Sequence, residues 1–131
     1  FNALANAWIT HRDWVAEGPV NTPEGGYVIM EKLIEEQGCP QAFIASSLPV
    51  LEGAVRAIRD RLGAVPPEIN IGTFDEHPML GFLANNVWSM QQDENAWAEK
   101  AFEMMLSAIE ERPVKKTVKV EMKLIKRIRK K

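Results

Sequence analysis

The apolar positions of this chain recur with two distinct periods, and the switches between them mark out the elements. Phe1, Leu4, Ala5, Trp8 and Ile9 are spaced by three and four, the pattern of an amphipathic helix, with no capping residue ahead of them. A domain seldom opens on an uncapped apolar helix, so the chain reads as a piece of a longer one. Trp14-Val15 is a short strand candidate closed by Gly18-Pro19. Thr22-Pro23 then supplies an N-cap acceptor and a proline at the first helical position, where its missing N–H costs nothing. This predicts a helix to Gln37 with Tyr27, Met30, Leu33 and Ile34 inward, ended by Gly38. Ala42-Phe43-Ile44-Ala45 is a continuous apolar run, the pattern of a strand buried on both faces.

A second helix is predicted over residues 49–62 through Leu51, Val55 and Ile58, stopping at Gly63. Pro66-Pro67 breaks the chain before a strand over residues 69–74, and Asp75 follows at its carboxyl end. A helical turn over residues 79–83 leads to a strand over 87–90. Asp93 caps a long helix over 94–111 with Trp97, Ala101, Phe102, Met105, Leu106 and Ile109 on one side, and Pro113 ends it. Finally Val118, Val120, Met122 and Leu124 alternate with Lys119, Glu121 and Lys123, a period of two that predicts a strand with the apolar set buried.

Strands alternating with helices of this length imply an α/β fold with a parallel sheet. In such sheets ligands bind in the crevice beyond the carboxyl ends of the strands. Ser46-Ser47, Asp75-Glu76-His77 and Gln91-Gln92-Asp93 fall there, and Asn21 sits at the matching point before the first capped helix.

Composition narrows the classes. A chain of 131 residues, 46% hydrophobic and 26% charged, is ordinary for one globular domain. No apolar run reaches the roughly 18 residues of a spanning helix. The first ten residues lack the pattern of a secretory signal. The single Cys39 excludes an internal disulfide framework and suits a reducing compartment. The expectation is a soluble, cytoplasmic protein. The net charge of −2 conceals an asymmetry: residues 1–112 carry seven basic and seventeen acidic groups, residues 113–131 nine basic groups and Glu121. A basic tail on an acidic body is one form of nucleic-acid arm, here Lys123 to Lys131. The alternation through residues 118–124 favours a strand whose charged face meets solvent.

Catalytic and metal chemistry find little support. His11, Cys39 and His77 share no ligand spacing, so neither a metal nor a cofactor is expected. Ser46-Ser47 lacks the Gly-x-Ser-x-Gly elbow, and a triad of Ser47, His77 and Asp75 would need near neighbours to point together. Gly25-Gly26 lies inside a capped helix and is no phosphate loop. What remains is a row of neutral polar groups and a carboxylate at one sheet edge, which suits a polyhydroxylated ligand such as a sugar. Capping is the competing role, because Ser47, Asp75 and Asp93 each precede a helix with free N–H groups.

Five segments occur in order: Pro40-Gln-Ala-Phe-Ile-Ala-Ser-Ser-Leu48, Leu51-Glu-Gly53-Ala-Val-Arg56-Ala-Ile, Pro67-Glu-Ile-Asn-Ile-Gly-Thr-Phe-Asp75, Val87-Trp-Ser-Met-Gln-Gln-Asp93 and Leu124-Ile-Lys-Arg127. Together they resemble the effector-binding domain of the lac repressor (LacI/GalR) family of transcription regulators, in detail most like its fructose and sucrose repressor branch. The resemblance spans essentially the whole chain. It implies one periplasmic-binding-protein-like lobe, the C-terminal part of a two-lobed sugar-binding domain, with a DNA-binding headpiece that this sequence lacks. Asp75 matches the family aspartate that accepts sugar hydroxyls. Ser47 matches the first residue of the usual Asn-Asp pair, and Leu48 replaces the aspartate. Asn21 stands where relatives carry an aromatic platform, Gln92 matches the glutamine where the family's chain crosses between lobes from strand to helix, and Glu94 and Trp97 are implied to face the same cleft. Pro49, Glu52, Gly53, Arg56, Leu80 and Leu83 match the dimer surface.

The implied function is a sugar-responsive repressor, not an enzyme, sensing fructose, sucrose or a related sugar or sugar phosphate. Its implied partners are a second copy, as a homodimer or tetramer, and operator DNA through the headpiece, with no membrane. A solute-binding protein of sugar transport with the same fold is the alternative.

Overall fold

A computed structural model describes residues 15–18, 21–114 and 117–129. The helix expected at residues 1–9 lies outside the described residues, as does Trp14. Residues 15–18 form no strand, so that expectation fails where it is visible. Among the described residues the chain forms α1 (Pro23–Gln37), β1 (Ala42–Ala45), α2 (Leu48–Leu62), β2 (Asn70–Thr73), a 3-10 turn (Pro78–Phe82), β3 (Asn86–Gln92), α3 (Glu94–Ile109) and β4 (Met122–Arg127). None of these helices is long and apolar enough to cross a membrane.

The helix ends follow the local chemistry. The Thr22 hydroxyl accepts the Gly25 N–H at 3.1 Å, and Gly38, at φ +83°, donates its N–H to the Ile34 carbonyl. Gly63 closes α2 in the left-handed region at φ +79°, which a side chain would disfavour. Asp93 accepts the Ala96 N–H at 2.9 Å and starts α3.

The sheet has the order β1-β2-β3-β4, the first three strands parallel and β4 antiparallel to β3. Ala45, Thr73, Ser89 and Ile125 lie side by side in this register, as do Phe43, Ile71, Val87 and Arg127. That face meets α1 and α2, and the core forms there from Met30, Leu51, Ala54, Ala57, Ile58, Ile71 and Val87. Buried Asn85 donates to the carbonyls of Pro66 and Ile69, both at 2.9 Å, tying the entry of β2 to that of β3.

Three expectations need correction. β1 is the edge of the described sheet and is buried on one face only: Ile44 points away from the helices and is 74% exposed. The strand near the tail begins at Met122, so Val118 and Val120 precede it, and its phase is the reverse of that expected. Met122 and Leu124 are about half exposed, whereas Ile125 and Arg127 share the face that carries Ser89 and Val87. The apolar side of α3 is not part of the core among the described residues: no residue of that helix is buried, Leu106 is half-buried, and Phe102, Met105 and Ile109 are exposed.

Two glycines let α1 and α2 approach closely. A Cβ placed on Gly53 would come within 1.8 Å of the Pro23 carbonyl oxygen, and one on Gly26 within 2.3 Å of the Val50 carbonyl oxygen. Both obstacles are backbone, which does not swing aside. Gly53→Ala is therefore expected to cost about 3 kcal/mol or more, the upper range for overpacking. Gly81→Ala, with nothing near its added methyl, should be close to neutral. Equilibrium urea unfolding checks the pair, and equal midpoints would refute the helix contact.

Candidate functional site

A cleft of about 950 Å³ opens at the carboxyl ends of β2 and β3, lined among others by Leu48, Asp75, Gln92, Asp93 and Glu94. Its placement follows from the chain's direction changes: β2 ends at Thr73 and delivers Asp75, β3 ends at Gln92 and passes directly into the cap of α3. Gln91 and Gln92 are the last residues of β3 rather than a loop after it.

Asp75 carries two kinds of bond. Its Oδ2 accepts the backbone N–H of Leu48, the first residue of α2, at 2.9 Å. Its own N–H donates to the Thr73 hydroxyl at 3.4 Å. The capping role and the ligand role are thus compatible, because a carboxylate has further acceptor positions beyond the one spent on Leu48. Ser47 is buried; its hydroxyl accepts the Val50 N–H at 3.5 Å and donates to Oδ1 of Asn21. That bond brings Asn21, the residue before the N-cap of α1, to the start of α2.

The structure brings Asp75, Gln92 and Glu94 to one cleft, with Leu48 beside them. Asn21 lines a second hollow of about 730 Å³ between α1 and β1, and reaches the first site only through Ser47. Trp97 is 57% exposed on α3 and lines neither hollow. Of the expected dimer residues, Glu52 and Arg56 are exposed and Pro49 and Leu83 half-buried. Gly53 and Leu80 are spent inside the lobe, the first under α1 and the second in the core.

The paper triad does not form. The Ser47 hydroxyl is engaged with Asn21 and Val50, and His77 Nδ1 accepts the Met79 N–H at 3.1 Å as the cap of the 3-10 turn. Burial, and secondarily the charge of Glu68, pushes the Cys39 thiol above its ordinary value, away from nucleophilic behaviour.

Sequence reasoning missed the ion pair behind the cleft. Arg127 Nη1 donates to Glu76 Oε2 at 2.9 Å and to the Ser89 hydroxyl at 3.0 Å, while Nη2 reaches Glu76 Oε1 and Ser89 donates to Glu76. Glu76 is 15% exposed and Arg127 27%. No local pattern pointed to the pair, because its members lie 51 positions apart and meet only through the register of β3 and β4. Arg127 is thereby removed from any free basic arm, and Glu121 and Lys123 line the cleft.

The periplasmic binding protein-like domain family matches residues 2–128. The chain is 31% identical over 88 residues to the catabolite repressor/activator of Salmonella typhimurium, covering 67% of this chain and 26% of that protein. It is 32% identical over 119 residues to an uncharacterised HTH-type transcriptional regulator of Streptomyces limosus, covering 88% of this chain and 33% of the other. Among solved structures it is similar to the Cra transcriptional dual regulator of Pseudomonas putida in complex with fructose 1-phosphate, with TM-score 0.69 and 29% identity over 82% of this chain and 40% of that one. A LacI-family regulatory protein of Chloroflexus aggregans shares the fold at TM-score 0.77. The chain thus spans between a quarter and a half of the length of these relatives.

The Arg127 hydrogen bonds, aided by Ser89, hold the Glu76 carboxyl below its ordinary value of 4.5, against the opposing effect of burial. A lowered folded value means the pair stabilises fully above the unfolded value and is lost as pH falls through the folded one. Glu76→Gln should cost about 1–3 kcal/mol at pH 7, the scale of a partly exposed charged hydrogen-bond pair. The gap to the parent should close in acid. Urea midpoints at pH 7 and below pH 4 test this, and a gap constant across that range would contradict it.

Proposed function

The chain belongs to the periplasmic binding protein-like domain family, and on that premise we propose that it is the C-terminal part of the effector-binding domain of a lac repressor (LacI/GalR) family transcriptional repressor. The repressor senses a sugar in the cytoplasm and binds operator DNA through a headpiece of the longer protein. The observation that carries this reading is the row Asp75, Gln92 and Glu94 at the carboxyl ends of two parallel strands, where a polyhydroxylated ligand finds acceptors and an amide that both donates and accepts. Relatives named as transcriptional regulators support a regulator over an enzyme and over a sugar-transport protein.

The effector acts by differential contact. A ligand held between Asp75, beyond the end of β2, and Glu94, the first residue of α3, contacts the sheet end and that helix at once. It favours the arrangement in which both contacts are made, and the headpieces respond to that arrangement. Asp75→Asn keeps an acceptor for the Leu48 N–H and removes the charge. Effector affinity of the full-length repressor should fall by about 1–3 kcal/mol, roughly fivefold to 150-fold, while the melting temperature changes little. Calorimetry reads the affinity; an unchanged value would reduce Asp75 to a helix cap.

The repressor works as a homodimer. Its surface on this lobe is the outer side of α2, with Glu52 and Arg56, continued by the 3-10 turn. Phe82 there is 84% exposed, and Met79, three residues before it, is exposed as well, an apolar pair of the kind that marks an interaction site when it continues into a larger patch. Phe82→Glu should convert the dimer to monomer in sedimentation at micromolar concentration. A dimer that survives the charge would place the interface elsewhere.

A further inference from the structure

Residues 74–77 lie between the end of β2 and the 3-10 turn, so neither a strand nor a helix fixes the backbone that carries Asp75. Side chains hold it instead. The Asp75 N–H reaches the Thr73 hydroxyl only at 3.4 Å, and one Asp75 oxygen accepts the Leu48 N–H. Phe74 is 54% exposed and gives the segment little apolar anchorage. Glu76 is the residue driven inward. Its carboxylate accepts from both terminal nitrogens of Arg127 and from the Ser89 hydroxyl.

The far end of that pair is firm. Arg127 closes β4 opposite Val87, and Val87 is fully buried. Arg127 Nη1 also donates to the hydroxyl of Ser89, itself fully buried on β3, at 3.0 Å. A guanidinium fork on a carboxylate fixes orientation as well as distance, because two parallel bonds remove rotation. Glu76 is thus clamped at both oxygens, and the Cα of Asp75 lies one peptide unit away, about 3.8 Å. Arg127 also lowers the Glu76 carboxyl below its ordinary value, so the clamp stays charged near neutral pH.

We propose that Arg127 is a positioning residue for the effector site: by clamping Glu76 it sets where the Asp75 carboxylate points. Arg127 itself does not line the cleft. The inference rests on the reading of Asp75 as an effector contact and adds the residue that holds that contact in place. A carboxylate on an irregular segment binds better when its support is fixed before the ligand arrives, because no ordering cost then falls on binding. A pair that served only the fold would fasten β4 and leave the direction of Asp75 to its bond with Leu48.

The test is a double-mutant cycle on the full-length repressor, with fructose, sucrose and fructose 1-phosphate as calorimetric probes. Arg127→Met should weaken the probe that binds by about tenfold in the parent and by less than about twofold in the Asp75→Asn background, the signature of action through Asp75. Arg127→Lys keeps the charge and loses the fork; it should fall between, and it replaces Arg127→Met if that variant does not fold. Ile58→Val, which loosens the core away from the pair, should leave affinity unchanged. Hydrogen exchange at single amides adds a measurement without ligand. The Leu48 N–H should exchange faster in the Arg127 variants, whereas the Leu51 N–H, bonded to the Ser47 carbonyl, should not. An equal loss of affinity with and without the Asp75 carboxylate overturns the inference, as does unaltered affinity or unaltered Leu48 exchange in the Arg127 variants. A loss in Asp75→Asn then still upholds the sugar-sensing reading. If Asp75→Asn costs no affinity, both fall. If no probe binds, the Leu48 exchange decides alone: faster supports the positioning role, unchanged overturns it.

Discussion

The backbone contact between α1 and α2 is the constraint on which the rest of the lobe depends. Gly26 and Gly53 let the two helices meet with no side chain between them, carbonyl against Cα. Two consequences follow from that separation. The small residues Ala54 and Ala57 on α2 reach the sheet with Ile58, and the core closes over β2 and β3. The starts of both helices also come to the same end of the sheet, where Asn21, just before α1, takes the Ser47 hydroxyl at the cap of α2. The cleft inherits its floor from this contact, because Leu48 and its bond to Asp75 are placed by where α2 begins. Arg61 adds a rim tie to Glu31 at 3.0 Å and to Glu35, an exposed arrangement worth little beside the packing.

A second division of labour sits one residue apart. Asp75 and Glu76 leave the end of β2 in succession and meet different fates. Asp75 turns to the helix start and the cleft; Glu76 turns to Arg127 and Ser89, on the face the sheet buries. The ion pair fastens β4 to the loop after β2 across β3, so the antiparallel strand is held by more than its ladder. Breaking one member leaves a half-buried charge unpaired, which is the costly direction. The pair also keeps Glu76 from adding its charge to the hollow in which Asp75 works.

Most of this fold was legible because local chemistry and global packing agree. Thr22-Pro23, Gly38, Gly63 and Asp93 mark helix ends by rules that need no tertiary information, and all four hold. The misread elements are those where one sequence pattern has two solutions. An alternating strand states its period but not which face is covered. At β4 the apolar set Met122 and Leu124 stands half exposed, while Arg127 goes inward because Glu76 waits there. Ile44 reads as a two-sided strand residue, yet the described sheet covers only one side of it. Gly53 and Leu80 were assigned to a surface through resemblance, and their burial depends on α1 and the sheet, partners that no local pattern names. In the cleft, the placement of Asp75 and Gln92 follows from strand ends, whereas the pairing of Glu76 with a residue 51 positions away does not.

Gln92 belongs to the sheet, Asp93 caps α3 and Glu94 is its first residue, so three consecutive side chains carry the cleft lining from the sheet to a helix with no buried residue among those described. A rigid hollow would bind a sugar without any consequence for the rest of the molecule, because a ligand shifts an equilibrium only by its difference in affinity between two states. Under the proposed reading, a ligand that contacts both Asp75 and Glu94 gains such a difference where the two contacts are made together in one placement of α3 against the sheet and not in others.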